Sequence, residues 1–145
     1  MQLKSPNFDN NRVIPSKFTC QGEDINPELI IENIPDGTKS LVLIVDDPDA
    51  PNRTWDHWVM WNIPLISKIE ENSAPGIQGL NDFGQHNYGG PCPPSGKHRY
   101  MFKLFALDVE LSIDGNSKKN DVEKAMESHI LDQSLLVGLY EKNGK

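Results

Sequence analysis

Cysteine is scarce in this chain, and so is everything that would hold it in a membrane or on a nucleic acid. Only two cysteines, Cys20 and Cys92, occur among 145 residues, which excludes a disulfide-stapled scaffold as the organising principle. The opening Met1-Gln2-Leu3-Lys4-Ser5-Pro6-Asn7-Phe8 lacks the apolar core of a signal peptide, so a cytoplasmic location is expected. In that setting two widely spaced cysteines are expected to be free thiols, with a single bridge as the alternative. No run approaches the ~18 apolar residues that a spanning helix requires, and no membrane insertion is expected. An excess of positive charge is missing too. Lys and Arg number 14 against 21 Asp and Glu, a net charge of −7, which argues against nucleic acid as a partner. There is no internal repeat, low-complexity tract or linker, so residues 1–145 are expected to form one domain.

What is present points to many short strands. Eleven glycines and eleven prolines are spread along the whole length, which suits shaped turns between strands better than a helical bundle. Residues 1–20 set Phe8, Val13, Ile14 and Phe18 among Asn and Pro and read as extended edge structure. Residues 28–34 read as a short strand stopped by the turn Pro35-Asp36-Gly37. Residues 40–45 are the most apolar run, rich in β-branched side chains and too short for a helix, which predicts a central strand buried on both faces. Residues 58–63 and 100–107 are two further strong strands. Between them, residues 67–87 are polar and rich in Gly and Asn, a long irregular connection whose length suggests a covering or functional role. One helix is predicted near the end, capped by Asn120 or Asp121, with Val122, Ala125, Met126 and Ile130 on one face. Residues 134–140 fit a helix or a strand, and Val137 with Gly138 favours a strand.

Two segments carry unusual chemistry. Residues 88–100 crowd Gly89, Gly90, Gly96, Pro91, Pro93 and Pro94 around Cys92, and then enter a strand through His98, Arg99 and Tyr100. Glycine permits close approach of backbone to a ligand and proline stiffens it, so the loop is expected to wall a small polar pocket. The other segment, Asp46-Asp47-Pro48-Asp49-Ala50-Pro51, ends the apolar strand with three carboxylates held on a stiff backbone. His57 follows between Trp55 and Trp58. Two histidines, nearby acids and a rigid loop form the convergent polar set of a small-molecule site. Arg99 is expected to pair with Asp47 or Asp49 and tie the two loops together, a structural support of the pocket. No local pair of the H-x-x-x-H kind marks a metal site, and Ser95 has no nucleophile-elbow context. No catalytic residue, metal or cofactor is therefore expected.

The segment 47–51 resembles the D-P-D-x-P motif, and Gly96-Lys97-His98-Arg99 the G-x-H-R motif, of the phosphatidylethanolamine-binding protein family. The resemblance is to its short prokaryotic, Raf-kinase-inhibitor-like branch and covers nearly the whole chain. It implies a mainly β fold, with a large central antiparallel sheet packed on a smaller sheet and one or two peripheral α-helices. It also implies a small anion pocket for phosphate or phosphoethanolamine-like head groups, lined by Asp47, Asp49, Pro51, Trp55, His57, Tyr88, Gly90, His98 and Tyr100. Homodimers are what the resemblance implies for assembly. The leading expectation is a non-catalytic binding protein for a small anionic ligand. The alternative is a protease or kinase inhibitor whose protein partner docks on the connection 67–87. A third is a hydrolase using Cys92 or a histidine-bound metal.

Overall fold

The computed structural model describes residues 1–142 and contains nine strands and one α-helix. In chain order these are β1 (Gln2–Lys4), β2 (Arg12–Val13), β3 (Leu29–Glu32), β4 (Ser40–Asp47), β5 (Trp55–Ile63), β6 (Lys68–Ile69), β7 (Ile77–Gln78), β8 (Lys97–Leu107), α1 (Lys119–Met126) and β9 (Ile130–Glu141). A single 3-10 turn, Ser16–Phe18, precedes Cys20. Six strands make a large sheet in the order β2-β9-β8-β4-β5-β7, and β1-β3-β6 make a small one. Every pairing is antiparallel except β2 with β9 at one edge. Among the described residues no helix is long and apolar enough to cross a membrane.

The apolar run predicted to be central is central. All eight residues of β4 are buried, between β8 on one side and β5 on the other. Strand periodicity divides its side chains. Leu41, Leu43 and Val45 face a core shared with Leu29, Ile31 and Ile69 of the small sheet. Val42 and Ile44 face the opposite way, onto Val59, Trp61 and the helix residues Val122 and Met126. A continuous apolar strand is therefore what a sheet covered on both faces requires.

The helix is shorter than its periodicity suggested. It begins after Lys118, and Asp121 does not cap it from outside but sits in its first turn, where its carboxylate accepts from the Lys118 N–H at 3.0 Å. It ends at Met126, because Ser128 takes a left-handed conformation (φ 68°) and turns the chain back. Ile130 consequently starts β9 and leaves the helix face. Residues 134–140 are strand, paired with β8 from Lys97↔Glu141 to Leu107↔Ile130. Gly138 is required there, since a Cβ would run into Ile14 and, at 2.9 Å, into Phe8.

The connection 67–87 holds only the two-residue strands β6 and β7, yet side-chain amides pin it. Buried Asn81 donates to the carbonyls of His57 (3.2 Å) and Asn87 (2.8 Å) and accepts from the N–H groups of Phe83 and Gln85.

One expectation is overturned. Cys20 and Cys92 are not free thiols; they form a disulfide with a Cα–Cα distance of 5.5 Å. The 3-10 turn lays Cys20 beside the Gly/Pro loop, where its N–H donates to the Pro91 carbonyl at 3.1 Å. Separation along the chain carried no information about that proximity.

Candidate functional site

The site begins where β4 runs out of apolar residues. Consecutive side chains on a strand point to opposite faces, so Asp46 and Asp47 part company. Asp46 meets Lys103 (2.9 Å) and Lys119 (3.2 Å) on the helix side. Asp47 turns the other way, with one oxygen accepting from His98 Nδ1 at 2.7 Å and the other from the Asp49 N–H at 2.8 Å. On β8 the same alternation sends His98 and Tyr100 to the cavity face and Arg99 outward. Arg99 clamps Asp49 at the surface through Nε and Nη2, both at 2.9 Å. Those hydrogen bonds hold the Asp49 carboxyl at about 2. The predicted tie between the two loops exists, but as an exposed clamp and not as a buried pair: the Arg99 side chain is 54% accessible.

On β5, Trp55 and His57 share one face. His57 Nδ1 lies 2.7 Å from the Gly89 carbonyl, and the Gly89 N–H donates back to the His57 carbonyl at 3.0 Å. A carbonyl only accepts, so Nδ1 carries the proton and Nε2 is the free nitrogen. The same reasoning at Asp47 leaves Nε2 free on His98. Burial lowers the pKa of His57 below the ordinary histidine value, against the opposing pull of the Gly89 carbonyl and Asp47. At neutral pH its Nε2 is thus an acceptor.

Tyr100 lies between the two rings, 5.3 Å from His57 edge-on and 6.4 Å from His98 nearly parallel. Its phenol oxygen is buried and completes no hydrogen bond among the described residues, although the Asp47 carboxylate and the Cys92 backbone lie beside it. Burial, and then the Asp47 carboxylate, raise its pKa, so it stays protonated and available as a donor.

These groups floor a cavity of about 340 Å³. Its walls are Ala50 and Pro51 from the acidic segment, Trp55, Phe83, and Cys92, Pro93 and Pro94 from the Gly/Pro loop. Of the nine side chains anticipated for the lining, the structure brings Asp47, Pro51, Trp55, His57, His98 and Tyr100 around this space. The other three lie off it. Asp49 is engaged by Arg99. Tyr88 is a core strut whose hydroxyl donates to the Phe18 carbonyl at 2.7 Å and whose ring meets Trp58 edge-on. The N–H of Gly90 is consumed by Asp24 Oδ1 at 2.8 Å, so it is not free for an anion. A side chain at Gly90 would strike that carboxylate and the Phe18 carbonyl. Phe83 is invisible to sequence patterns because it sits in irregular chain with no periodicity to mark it. Cys92, a candidate nucleophile by its setting in the loop, has no thiolate to offer once it is in the bridge. Among the described residues, no three His, Cys, Asp or Glu side chains are grouped as metal ligands.

Comparison with known proteins identifies the family and the fold. The profile described as phosphatidylethanolamine-binding protein matches residues 4–141. A UPF0098 protein of Pyrococcus horikoshii is 49% identical, over 98% of this chain and 78% of its own length. Another, from Methanothermobacter thermautotrophicus, is 47% identical over 98% and 99%. Among solved structures, a phosphatidylethanolamine-binding protein homolog from Chlamydia trachomatis superposes with a TM-score of 0.95 at 42% identity, covering 98% of this chain and 97% of that one. YbcL of E. coli, described as a new member of the mammalian family, gives 0.90 at 29% identity with 98% of both chains covered.

Proposed function

Given that the chain belongs to the phosphatidylethanolamine-binding protein family, we propose that its cavity binds a phosphate ester, of the phosphoethanolamine kind, without reacting with it. The observation that carries this reading is the Tyr100 phenol, buried, unpartnered and set between two imidazoles that each keep one nitrogen free. A buried hydroxyl without a partner forfeits roughly 1–3 kcal/mol, which a ligand oxygen restores.

The proton arrangement supports a ligand of this kind. Tyr100 donates to one oxyanion. His57, neutral with Nε2 unprotonated, accepts from the hydroxyl of a monoprotonated phosphate ester, or takes up a proton and donates to the dianion. His98 is oriented by Asp47 through Nδ1, and that carboxylate disfavours an unneutralised dianion. Binding is therefore coupled to proton uptake and strengthens as pH falls from 8 to 6. Calorimetric titration with phosphoethanolamine, in two buffers of different ionisation enthalpy, measures both affinity and protons taken up. Absence of heat at pH 6, with no displacement by inorganic phosphate, would sink the idea.

A second reading rests on a different observation. Leu65, Ile77 and Phe83, on and beside the connection 67–87, are 51%, 45% and 44% exposed, an apolar set that suits an inhibitor docking on a protease or kinase. Replacing Leu65 and Ile77 by Lys leaves the cavity whole; unchanged capture of partners by that variant would count against this reading.

A further inference from the structure

The disulfide joins segments 72 residues apart in the chain at the edge of the cavity described above. Cys92 and Phe83 stand between that cavity and a second one of about 350 Å³, lining both. Cys92 lines both cavities and Cys20 only the second. Cys20 is exposed, whereas Cys92 is half-buried. Behind the bridge, the second cavity is walled by polar Asp24, Gln85 and Asn87, a setting for a small polar molecule.

The loop does not depend on the bridge for its first half. Residues 88–91 are joined to the segment 18–24 by three other links: Tyr88 hydroxyl to Phe18 carbonyl (2.7 Å), Gly90 N–H to Asp24 (2.8 Å) and Cys20 N–H to Pro91 carbonyl (3.1 Å). Past Cys92 the situation differs. Among the described residues, none forms a hydrogen bond with residues 93–96, and the next fixed points are His98 on Asp47 and Arg99 on Asp49. Pro93 and Pro94, which wall the first cavity, are thus held from one side by the disulfide and from the other by the start of β8.

We propose that the Cys20–Cys92 bridge is a thiol-exchange site which sets the affinity of the neighbouring cavity for its phosphate ester. The proposal rests on the ligand reading above and adds its regulation. The thiolate of a low-molecular-weight thiol enters from the second cavity and attacks Sγ of Cys20, the more exposed of the two residues. The Cys20–Cys92 bond breaks as the mixed disulfide forms on Cys20, and the electron pair leaves on Cys92 Sγ, which takes a proton from solvent. A second thiol resolves the mixed disulfide, so two thiols become one external disulfide and both cysteines end reduced. Opening removes the partition between the cavities and releases the segment 93–96, while the three remaining links keep the fold. A thiol-rich compartment drives the open state and an oxidising one the closed state.

The test incubates the folded protein with glutathione, maps the adduct by mass spectrometry, and titrates phosphoethanolamine into the oxidised and the dithiothreitol-reduced protein. The expected result is an adduct on Cys20, native circular dichroism after reduction, and affinity lower by about tenfold. Reduction supplies the open state without mutation; C20S provides a second route to it without replacing a residue that lines the first cavity. An adduct confined to Cys92, a bridge untouched by thiol in the native state, or equal affinity in both states each overturns the proposal. If neither state binds phosphoethanolamine or inorganic phosphate, the ligand reading fails by itself. The imidazole resonances of His57 and His98 then decide: movement on reduction upholds the redox control of the cavity, and unchanged resonances overturn it.

Discussion

Asp46 and Asp47 are neighbours on one strand, 1% and 3% exposed, and they do opposite things. Asp46 is held by two ammonium groups, Lys103 and Lys119, and Lys119 also reaches Asp56 at 2.8 Å. Asp56 faces Asp46 across the β4–β5 pair, so the helix lysine neutralises two like charges that would otherwise repel. Burial raises the pKa of Asp56 while Lys119 pulls it down. Asp47 instead meets the His98 imidazole, beside a cavity and an unpartnered phenol. A buried carboxylate with ammonium counter-ions docks a helix. One that orients an imidazole at a cavity can serve a ligand.

The largest expected effect comes from breaking the first of these. Asp46→Asn leaves Lys119 facing only Asp56 and should lower stability by about 3 kcal/mol in urea titration, with phosphoethanolamine affinity of the folded protein unchanged. Asp47→Asn keeps an acceptor oxygen for His98 and should cost about 1 kcal/mol. If the two substitutions fall in the reverse order, the contrast between the neighbours is wrong.

Tyr100→Phe should lower phosphoethanolamine affinity by about tenfold, the loss of one donor worth about 1.4 kcal/mol, with stability unchanged or slightly raised because no buried hydroxyl is then left unpaired. Titration calorimetry together with thermal unfolding separates the two outcomes.

His57 sharpens the comparison through pH. Its folded pKa is lowered, so between that value and the ordinary ~6.5 the unfolded chain binds more protons than the native one. Stability of the ligand-free protein should therefore fall on acidification through this window, while phosphoethanolamine affinity rises. His57→Gln should flatten the stability trend. Parallel trends for stability and affinity would contradict the neutral, accepting Nε2.

The smallest effect belongs to the exposed clamp. Arg99→Ala should leave affinity nearly unchanged and lower stability slightly at neutral pH, a loss that fades towards pH 2, because surface ion pairs contribute little. The Asp49 carboxyl, lowered to about 2, gives stability that is present above its unfolded value and lost as pH falls towards 2. Removing Arg99 should weaken that acid-limb dependence, measured by unfolding between pH 5 and 2.

The strands with strong apolar patterns are legible in the sequence. β4, β5 and β8 announce themselves through β-branched and aromatic runs, β9 only leans towards strand through Val137 and Gly138, and the D-P-D-x-P and G-x-H-R segments mark both sides of the cavity floor. The wall is less legible. Phe83 is positioned by Asn81, whose amide links are tertiary, and Gly90 and Tyr88 belong to motif-like sequence yet serve the packing behind the loop.

By itself, then, the sequence determined the central apolar strand, the stiff acidic turn that follows it and the alternation that sends His98 and Tyr100 to one face and Arg99 to the other. Each follows from local geometry: a period of two along a strand, and the narrow φ range of proline. Only the tertiary structure decided that Asp47 takes His98 while Asp49 takes Arg99, that the phenol of Tyr100 is left without a partner, and that Cys20 reaches Cys92. Those outcomes depend on distances between segments remote in the chain, which are set by how the two sheets and the Gly/Pro loop pack, and no spacing in the sequence encodes them.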